Sequence, residues 1–436
     1  MRYFFVLFCF FVGECSGKCH EQSYAYSEEL AVNHPSQTIT LRDALSWALL
    51  KNPELEAFSY EVRAREAGIL QASLLPNPEI EVEIEDFGGE KAHKGFQAAE
   101  STLRLSQLIE LGGKRKNRRS VARYDKSLSC WDYETKRLDV LSGAAIAFIE
   151  VLFTQESFDL AREQHRIAQE VYNTVSEKVK AGKVSPLEEA KAKVALSTSK
   201  IEVERLERDQ NSVRQELVSF WGGTDVNFDK AIGDFDSILK IPDYNQLIEI
   251  VLRNPDLARW GDEIRFRQAI IDLEKSRSIP DVTVGGGVKK FEETKDYGFV
   301  VNLSIPIPIF DRNQGNIREA KNKLAKSQKE YDTADVRVRS DLLQVYQGLS
   351  SAYIEVITLK EDVLPSAKRA FDASSEGYKQ GKFEYLDVLD AQRTFFSTRA
   401  QYLASLFRYH KSFVELERLT GGCFDSHEHL QAKEEK

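Results

Sequence analysis

The residues of this chain with the clearest chemical potential are carboxylates. Glu79, Glu81, Glu83 and Glu85 occupy every second position of Glu79-Ile80-Glu81-Val82-Glu83-Ile84-Glu85. A strand over this stretch carries four carboxylates on one face and Ile80, Val82 and Ile84 on the other. Stacked carboxylates favour cations and repel anions; the same residues can equally do no more than solvate a wet face, and both readings stay open. Asp387 and Asp390 are three apart, so they share one side of a helix, where a helix start also favours negative charge. Cys423 with His427-Glu428-His429 offers metal-type donors, but in a short polar tail without groups to orient them, which reads as incidental. Glu110-Leu111-Gly112-Gly113-Lys114 lacks the spaced glycines and the following Ser or Thr of a phosphate loop. His20, His34, His93, His165 and His410 are scattered, and no Ser/His/Asp, Cys/His or HExxH arrangement occurs. The expectation is therefore no enzyme, no cofactor and no closed metal site.

The whole chain restricts the reading further. It has 436 residues and a formal charge of -9, from 60 Lys+Arg against 69 Asp+Glu, which argues against nucleic acid as a partner. With 30% charged and 42% hydrophobic residues it has the composition of a folded protein. Arg2 followed by Tyr3 to Val12 is a short positive region and an apolar core of secretory-signal length, with cleavage expected after Gly17. Lipidation at Cys15 is the alternative, although Glu14 fits it poorly. Cleavage after Gly17 leaves Cys19, Cys130 and Cys423, which make neither a disulfide framework nor a zinc site. Outside residues 3–13 no apolar run approaches the roughly 20 residues of a membrane-spanning helix, so a polytopic helical transporter is excluded and a spanning barrel is not.

The elements that must position these residues are written twice. Asn52-Pro53-Glu54-Leu55 recurs as Asn254-Pro255-Asp256-Leu257, Pro78 as Pro280, Gly182 as Gly381, and Trp221-Gly222-Gly223 as Thr420-Gly421-Gly422, all at an offset of about 200 residues. In each copy helical spacing comes first, then a pair of alternating strands, then a long helical hairpin. Strands are expected near residues 79–86, 100–109, 280–288 and 298–306. No proline falls between Pro78 and Pro186, and Leu138, Leu141, Ala145, Phe148 and Leu152 keep helical spacing, so one helix of roughly 65 residues is expected from about Lys116. The second hairpin is expected to be interrupted at Pro365 and to turn at Gly381. The expected organisation is a signal peptide at 1–17, an extended segment at 18–38 and a first repeat at 39–223 with a hairpin at 116–220 and tip at 181–187. A linker at 224–240, a second repeat at 241–422 with a hairpin at 313–419 and tip at 380–386, and a polar tail at 423–436 follow.

Four strands cannot close a barrel, for which roughly eight is the small end, so the missing strands must come from other copies of the chain. At this point the chain resembles the TolC-like outer-membrane efflux family, over nearly all of its mature length. The most specific motif is Tyr378-Lys379-Gln380-Gly381-Lys382-Phe383-Glu384-Tyr385-Leu386-Asp387-Val388-Leu389-Asp390-Ala391-Gln392, and its partner is Ala181-Gly182-Lys183-Val184-Ser185-Pro186-Leu187-Glu188. With Phe310-Asp311-Arg312-Asn313-Gln314-Gly315-Asn316 they look most like the cobalt–zinc–cadmium branch. The resemblance implies a mainly α fold with a small β-barrel portion and an internal duplication. It implies a homotrimer whose hairpins form a periplasmic α-barrel and whose strands share a twelve-stranded barrel in outer-membrane lipid. It also implies a periplasmic adaptor and an inner-membrane RND pump as partners, and passive export, here of divalent heavy-metal cations.

The resemblance carries a periplasmic gate onto Asp387 and Asp390. It carries adaptor docking onto the two tips, at Gly182, Lys183, Val184, Ser185, Pro186 and Leu187 and at Gly381, Lys382, Phe383, Tyr385 and Leu386, where ordinary turn chemistry also applies. Glu79, Glu81, Glu83 and Glu85 would face the lumen, and the basic run Lys114 to Arg119 would meet lipid head groups. The competing readings are a duct for drugs or other small molecules, a periplasmic adaptor, and a secreted coiled-coil structural protein.

Overall fold

The computed structural model describes residues 38–421. The expected signal peptide with Cys15, the expected extended segment with Cys19 except for its last residue, and the tail with Cys423, His427 and His429 lie outside the described residues. The first copy runs β1 (Thr38–Thr40), α1 (Leu41–Lys51), α2 (Pro53–Ser73), β2 (Glu79–Glu85), β3 (Glu100–Ile109), α3 (Lys114–Lys180) and α4 (Pro186–Ser219). The second runs β4 (Lys230–Ile232), α5 (Tyr244–Val251), α6 (Pro255–Arg277), β5 (Val282–Phe291), β6 (Tyr297–Ser304), α7 (Gln314–Thr358), α8 (Leu364–Lys379) and α9 (Tyr385–Thr420).

One helix of 67 residues in the first copy corresponds to two in the second, joined by a π-helical turn at Leu359–Val363. The expected interruption at Pro365 is thus not a break. Proline has no N–H to donate and its ring excludes the carbonyl four residues back, so the hydrogen-bond ladder widens by one residue while Val363 and Leu364 stay right-handed helical. The long helix α3 holds one 18-residue stretch apolar enough to cross a membrane, but 72% of it is buried inside the protein. Leu138, Leu141, Ala145, Phe148 and Leu152 are among the buried residues, so this stripe packs in the core.

The chain forms two compact units, and each takes segments from both copies. The repeats are therefore units of sequence and not of packing. One unit contains Phe58–Tyr133 and Asp256–Ala334 and holds the sheet β2-β3-β5-β6, antiparallel throughout, with the two copies meeting at β3 and β5. Asn313 leads into α7 with a left-handed backbone, φ 58°, and its Nδ2 donates to the Glu274 carbonyl and carboxylate at 2.7 Å each.

The other unit contains the described part of Met1–Ala57, Glu134–Pro255 and the described part of Asp335–Lys436. Here the duplicated landmarks meet. Asn52 Oδ1 accepts the Leu55 N–H at 2.9 Å, capping α2, while its Nδ2 donates to the Phe220 carbonyl at 2.8 Å. Asn254 Nδ2 donates to the Leu419 carbonyl at 2.7 Å and the Arg418 carbonyl at 3.2 Å. Each Asn-Pro therefore ties the start of a helix to the end of its own copy's hairpin, and Trp221 packs edge-on against Trp47 with centroids 5.3 Å apart.

The segment read as a linker is strapped down. β4 pairs in parallel with β1, Gln155 makes two hydrogen bonds to the Ala231 backbone, and the Tyr409 hydroxyl accepts from the Leu239 N–H and donates to its carbonyl, both at 2.9 Å. Tyr402 donates to Asp236 at 2.9 Å, and the His410 Nε2–H donates to the Phe235 carbonyl at 2.8 Å. Burial drives the Tyr409 hydroxyl up to about 12 and holds the His410 imidazole below its ordinary value.

Candidate functional site

Three places carry the residues singled out in the sequence: the sheet, the two hairpin tips and the start of α9. In the sheet, strand pairing sorts the side chains by chemistry. Register places Glu79, Glu81, Glu83 and Glu85 opposite Ser106, Arg104, Thr102 and Glu100, and these in turn opposite Gly285, Gly287, Lys289 and Phe291. The other face carries Ile80, Val82 and Ile84, then Leu103 and Leu105, Val284 and Val288, and Phe299, Val301 and Leu303. All of these apolar side chains are exposed, Phe299 to 93%. An apolar face this continuous needs a nonaqueous neighbour. The outer edges of β2 and β6 have no strand partner among the described residues.

The polar face departs from a plain acidic ladder. Arg104 bonds Glu81 at 2.8 Å and reaches Glu83 at 3.5 Å, and Lys289 bonds Glu85 at 3.1 Å and also pairs with Glu100. Sequence reading missed both cations, although each shares the two-residue period of its own strand. Of the basic run, Lys114 is buried against Asp281 at 2.6 Å and Arg118 is paired with Glu110, leaving Arg115, Lys116 and Arg119 exposed. Lys114 thus holds strand ends together instead of meeting lipid.

Each hairpin tip closes the same way. Gly182 and Gly381 take left-handed φ of 68° and 74°, where a side chain would be strained. The Lys183 N–H donates back to the Lys178 carbonyl at 2.9 Å, and the Lys382 N–H to the Gly377 carbonyl at 2.8 Å, which satisfies the last turn of each outgoing helix. Ser185 then caps α4 with Pro186 at its first position. The tips pack on one another through Val175 and Ala192 from the first hairpin and Tyr378, Tyr385, Val388 and Leu389 from the second. Lys178 joins them, with its Nζ 3.6 Å from the centre of the Tyr378 ring and 3.3 Å from the Tyr378 carbonyl.

Tyr385 was expected among the docking residues, but it is only 2% exposed: its ring fills the space between the hairpins. Gly182, Lys183, Ser185, Pro186, Gly381 and Lys382 are exposed and Val184 partly so. Leu187 and Leu386 stand out at 61% and 50%. Phe383 is also exposed, with its ring lying over Gly377, where any Cβ would collide with it.

Asp387 and Asp390 are both exposed on the first turns of α9. Asp387 also serves the fold, because its Oδ2 accepts the Glu384 N–H at 3.0 Å in a capping box with the Glu384 side chain. No group of three or more His, Cys, Asp or Glu is placed to hold a metal ion among the described residues.

Comparison with known proteins agrees with this construction. The chain is 36% identical over 383 residues to the cobalt-zinc-cadmium resistance protein CzcC of Cupriavidus metallidurans, covering 88% of this chain and 90% of CzcC. It is 26% identical over 322 residues to the nickel-cobalt-cadmium resistance protein NccC of Alcaligenes xylosoxydans xylosoxydans, covering 72% and 71%. Its fold matches the crystal structure of the Campylobacter jejuni CmeC outer membrane channel with a TM-score of 0.74 at 17% identity, covering 91% of this chain and 89% of that one. The outer membrane efflux protein family model matches residues 44–223 and 247–422, once on each copy. A duplicated chain that presents an apolar sheet face and paired helical hairpins, matched twice by that model, belongs to the outer membrane efflux protein family and is a channel of the outer membrane and periplasm, not an enzyme.

Proposed function

We propose that this outer-membrane efflux channel is the duct of a tripartite RND-type system and passively conducts divalent heavy-metal cations out of the cell. The observation that carries the architecture is the four-stranded sheet with two edges unpaired among the described residues and one exposed apolar face. In lipid every backbone N–H and C=O must be paired, so such a sheet requires closure by other copies. Three chains give a twelve-stranded barrel with the apolar face toward lipid and the face of Glu79, Glu81, Glu83 and Glu85 toward the lumen. The hairpins of the three chains form the periplasmic tube. A signal peptide over residues 1–17 exports the chain.

At the periplasmic end, three copies of Asp387 and Asp390 crowd around one axis and form a gate, whose closure their mutual repulsion opposes until cations or compensating contacts offset it. The exposed leucines of the tips, Leu187 and Leu386, offer the apolar contact for a periplasmic adaptor. The cargo reading rests on the similarity to the cobalt-zinc-cadmium and nickel-cobalt-cadmium resistance proteins. In this reading the duct is passive, and energy conversion and metal selection belong to the inner-membrane pump.

The experiment is deletion of the chain in its host with side-by-side measurement of tolerance to zinc, cobalt, nickel, cadmium and a panel of antibiotics. Loss of metal tolerance is expected. Unchanged metal tolerance with increased antibiotic sensitivity overturns the cargo and leaves a small-molecule duct. Imaging of the detergent-purified particle tests the assembly, where a threefold axis is expected and a monomer refutes it.

A further inference from the structure

We propose that Arg104 and Lys289 set the ion selectivity of the strand section by offsetting part of its carboxylate charge, so that the wall is less cation-selective than its carboxylates alone would make it. The inference rests on the reading that the polar face of the sheet lines the conduit. On that face each chain places five carboxylates, Glu79, Glu81, Glu83, Glu85 and Glu100, and two cations, Arg104 and Lys289. Four of the five are taken up in two bridges: Glu81–Arg104–Glu83 and Glu85–Lys289–Glu100. Glu79, opposite Ser106, forms no ion pair among the described residues.

The surroundings of the two cations are built for this. On the β5 side of Arg104 the face carries Gly285 and Gly287. A Cβ at 285 would stand 3.4 Å from Arg104 Cδ, and one at 287 would strike the Leu103 carbonyl. Those glycines leave a trench in which the arginine stem lies, largely buried, with its guanidinium held at the β2 carboxylates. Thr102 is small and buried between Glu83 and Lys289, so the lysine crosses β3 above it and reaches Glu85 as well as Glu100. Arg104 therefore offsets charge at two positions of β2, and Lys289 offsets charge on β2 and β3 at once. In each chain the four bridged carboxylates keep two negative charges after Arg104 and Lys289 are counted and Glu79 adds one more, so the face carries three net negative charges where its carboxylates alone would give five.

The test is reversal potential in planar lipid bilayers under a potassium chloride gradient at low salt, where the screening length is about 30 Å near 0.01 M. Arg104→Gln and Lys289→Gln should each raise the potassium-to-chloride permeability ratio at least about twofold, because each removes one positive charge per chain. Arg104→Lys should retain the wild-type ratio, Glu81→Gln should lower it, and the pair Arg104→Gln with Glu81→Gln should restore it. The restoring pair separates charge balance from packing, and Lys289→Gln and Glu81→Gln keep the proposal exposed to refutation if Arg104→Gln fails to fold. Wild-type channels whose selectivity is the same in Arg104→Gln, Lys289→Gln and Glu81→Gln overturn this inference alone. Purified protein that opens no channel overturns the conduit reading and the inference together.

Discussion

Replacing Asn52 by alanine should unfasten the first of the two duplicated clasps, and its cost follows from two hydrogen bonds. The Oδ1 atom caps α2 through the Leu55 N–H at 2.9 Å, a contribution of about 1 kcal/mol. The Nδ2 atom satisfies the Phe220 carbonyl at 2.8 Å, and a buried acceptor left without a partner costs about 1–3 kcal/mol. Asn52→Ala should therefore destabilise the protein by about 2–4 kcal/mol. Asn52→Asp separates the two contributions. Aspartate is as good a cap as asparagine, yet it cannot donate to Phe220 and sets an anionic oxygen against a carbonyl, so it should recover none of the second. The assay is guanidinium unfolding of the detergent-purified protein by circular dichroism, comparing midpoints at constant slope. Asn254→Ala, which strands the Leu419 and Arg418 carbonyls in the second copy, should cost at least as much. An Asn52→Asp protein as stable as wild type would show that the residue is a cap and nothing more, and the clasp reasoning would fall.

Acidification should weaken the strap over residues 224–240. The imidazole of His410 is held below its ordinary value by burial, with Asp234 and Asp236 opposing the shift, so the unfolded chain binds the extra proton first. Its contribution is intact above about pH 6.5 and is lost as the pH falls through the folded value, so His410→Gln should flatten the drop in thermal midpoint between about pH 7 and pH 5. An identical drop in both proteins refutes this. Leu187→Asp with Leu386→Asp changes only exposed tip positions, so unfolding should shift by less than about 0.5 kcal/mol while co-purification with the adaptor is lost. Tyr385→Ala empties the tip core and should cost about 3–5 kcal/mol, and retained adaptor binding in the leucine pair would move docking elsewhere. Asp387→Asn with Asp390→Asn keeps an oxygen to accept the Glu384 N–H but removes the charge; single-channel block by periplasmic-side divalent cations should weaken, and unchanged block would leave Asp387 as a cap alone.

Much of the site is legible in the residues alone. The alternation over Glu79 to Glu85 specifies β2 and its two faces, and Gly182 and Gly381 mark both turns, because these signals lie within a few residues of one another. Tyr385 reads as surface in the sequence because a tyrosine beside a turn has no local mark of burial. Its environment comes from Val175 and Ala192 in the other hairpin. Arg104 escapes notice for a similar reason: its partner Glu81 is fixed only by the register of β2 on β3.

By itself the sequence determined the order of elements, the duplication, the long hairpins and the two-faced strands, since periodicity and turn chemistry act over one or two turns of chain. Only the tertiary structure decided that the copies interleave into two units, that β3 of one lies beside β5 of the other, and which carboxylates are paired with a cation. Those outcomes depend on which segments become lateral neighbours. That choice is made by packing and register between residues far apart in the chain, about which a local pattern carries no information.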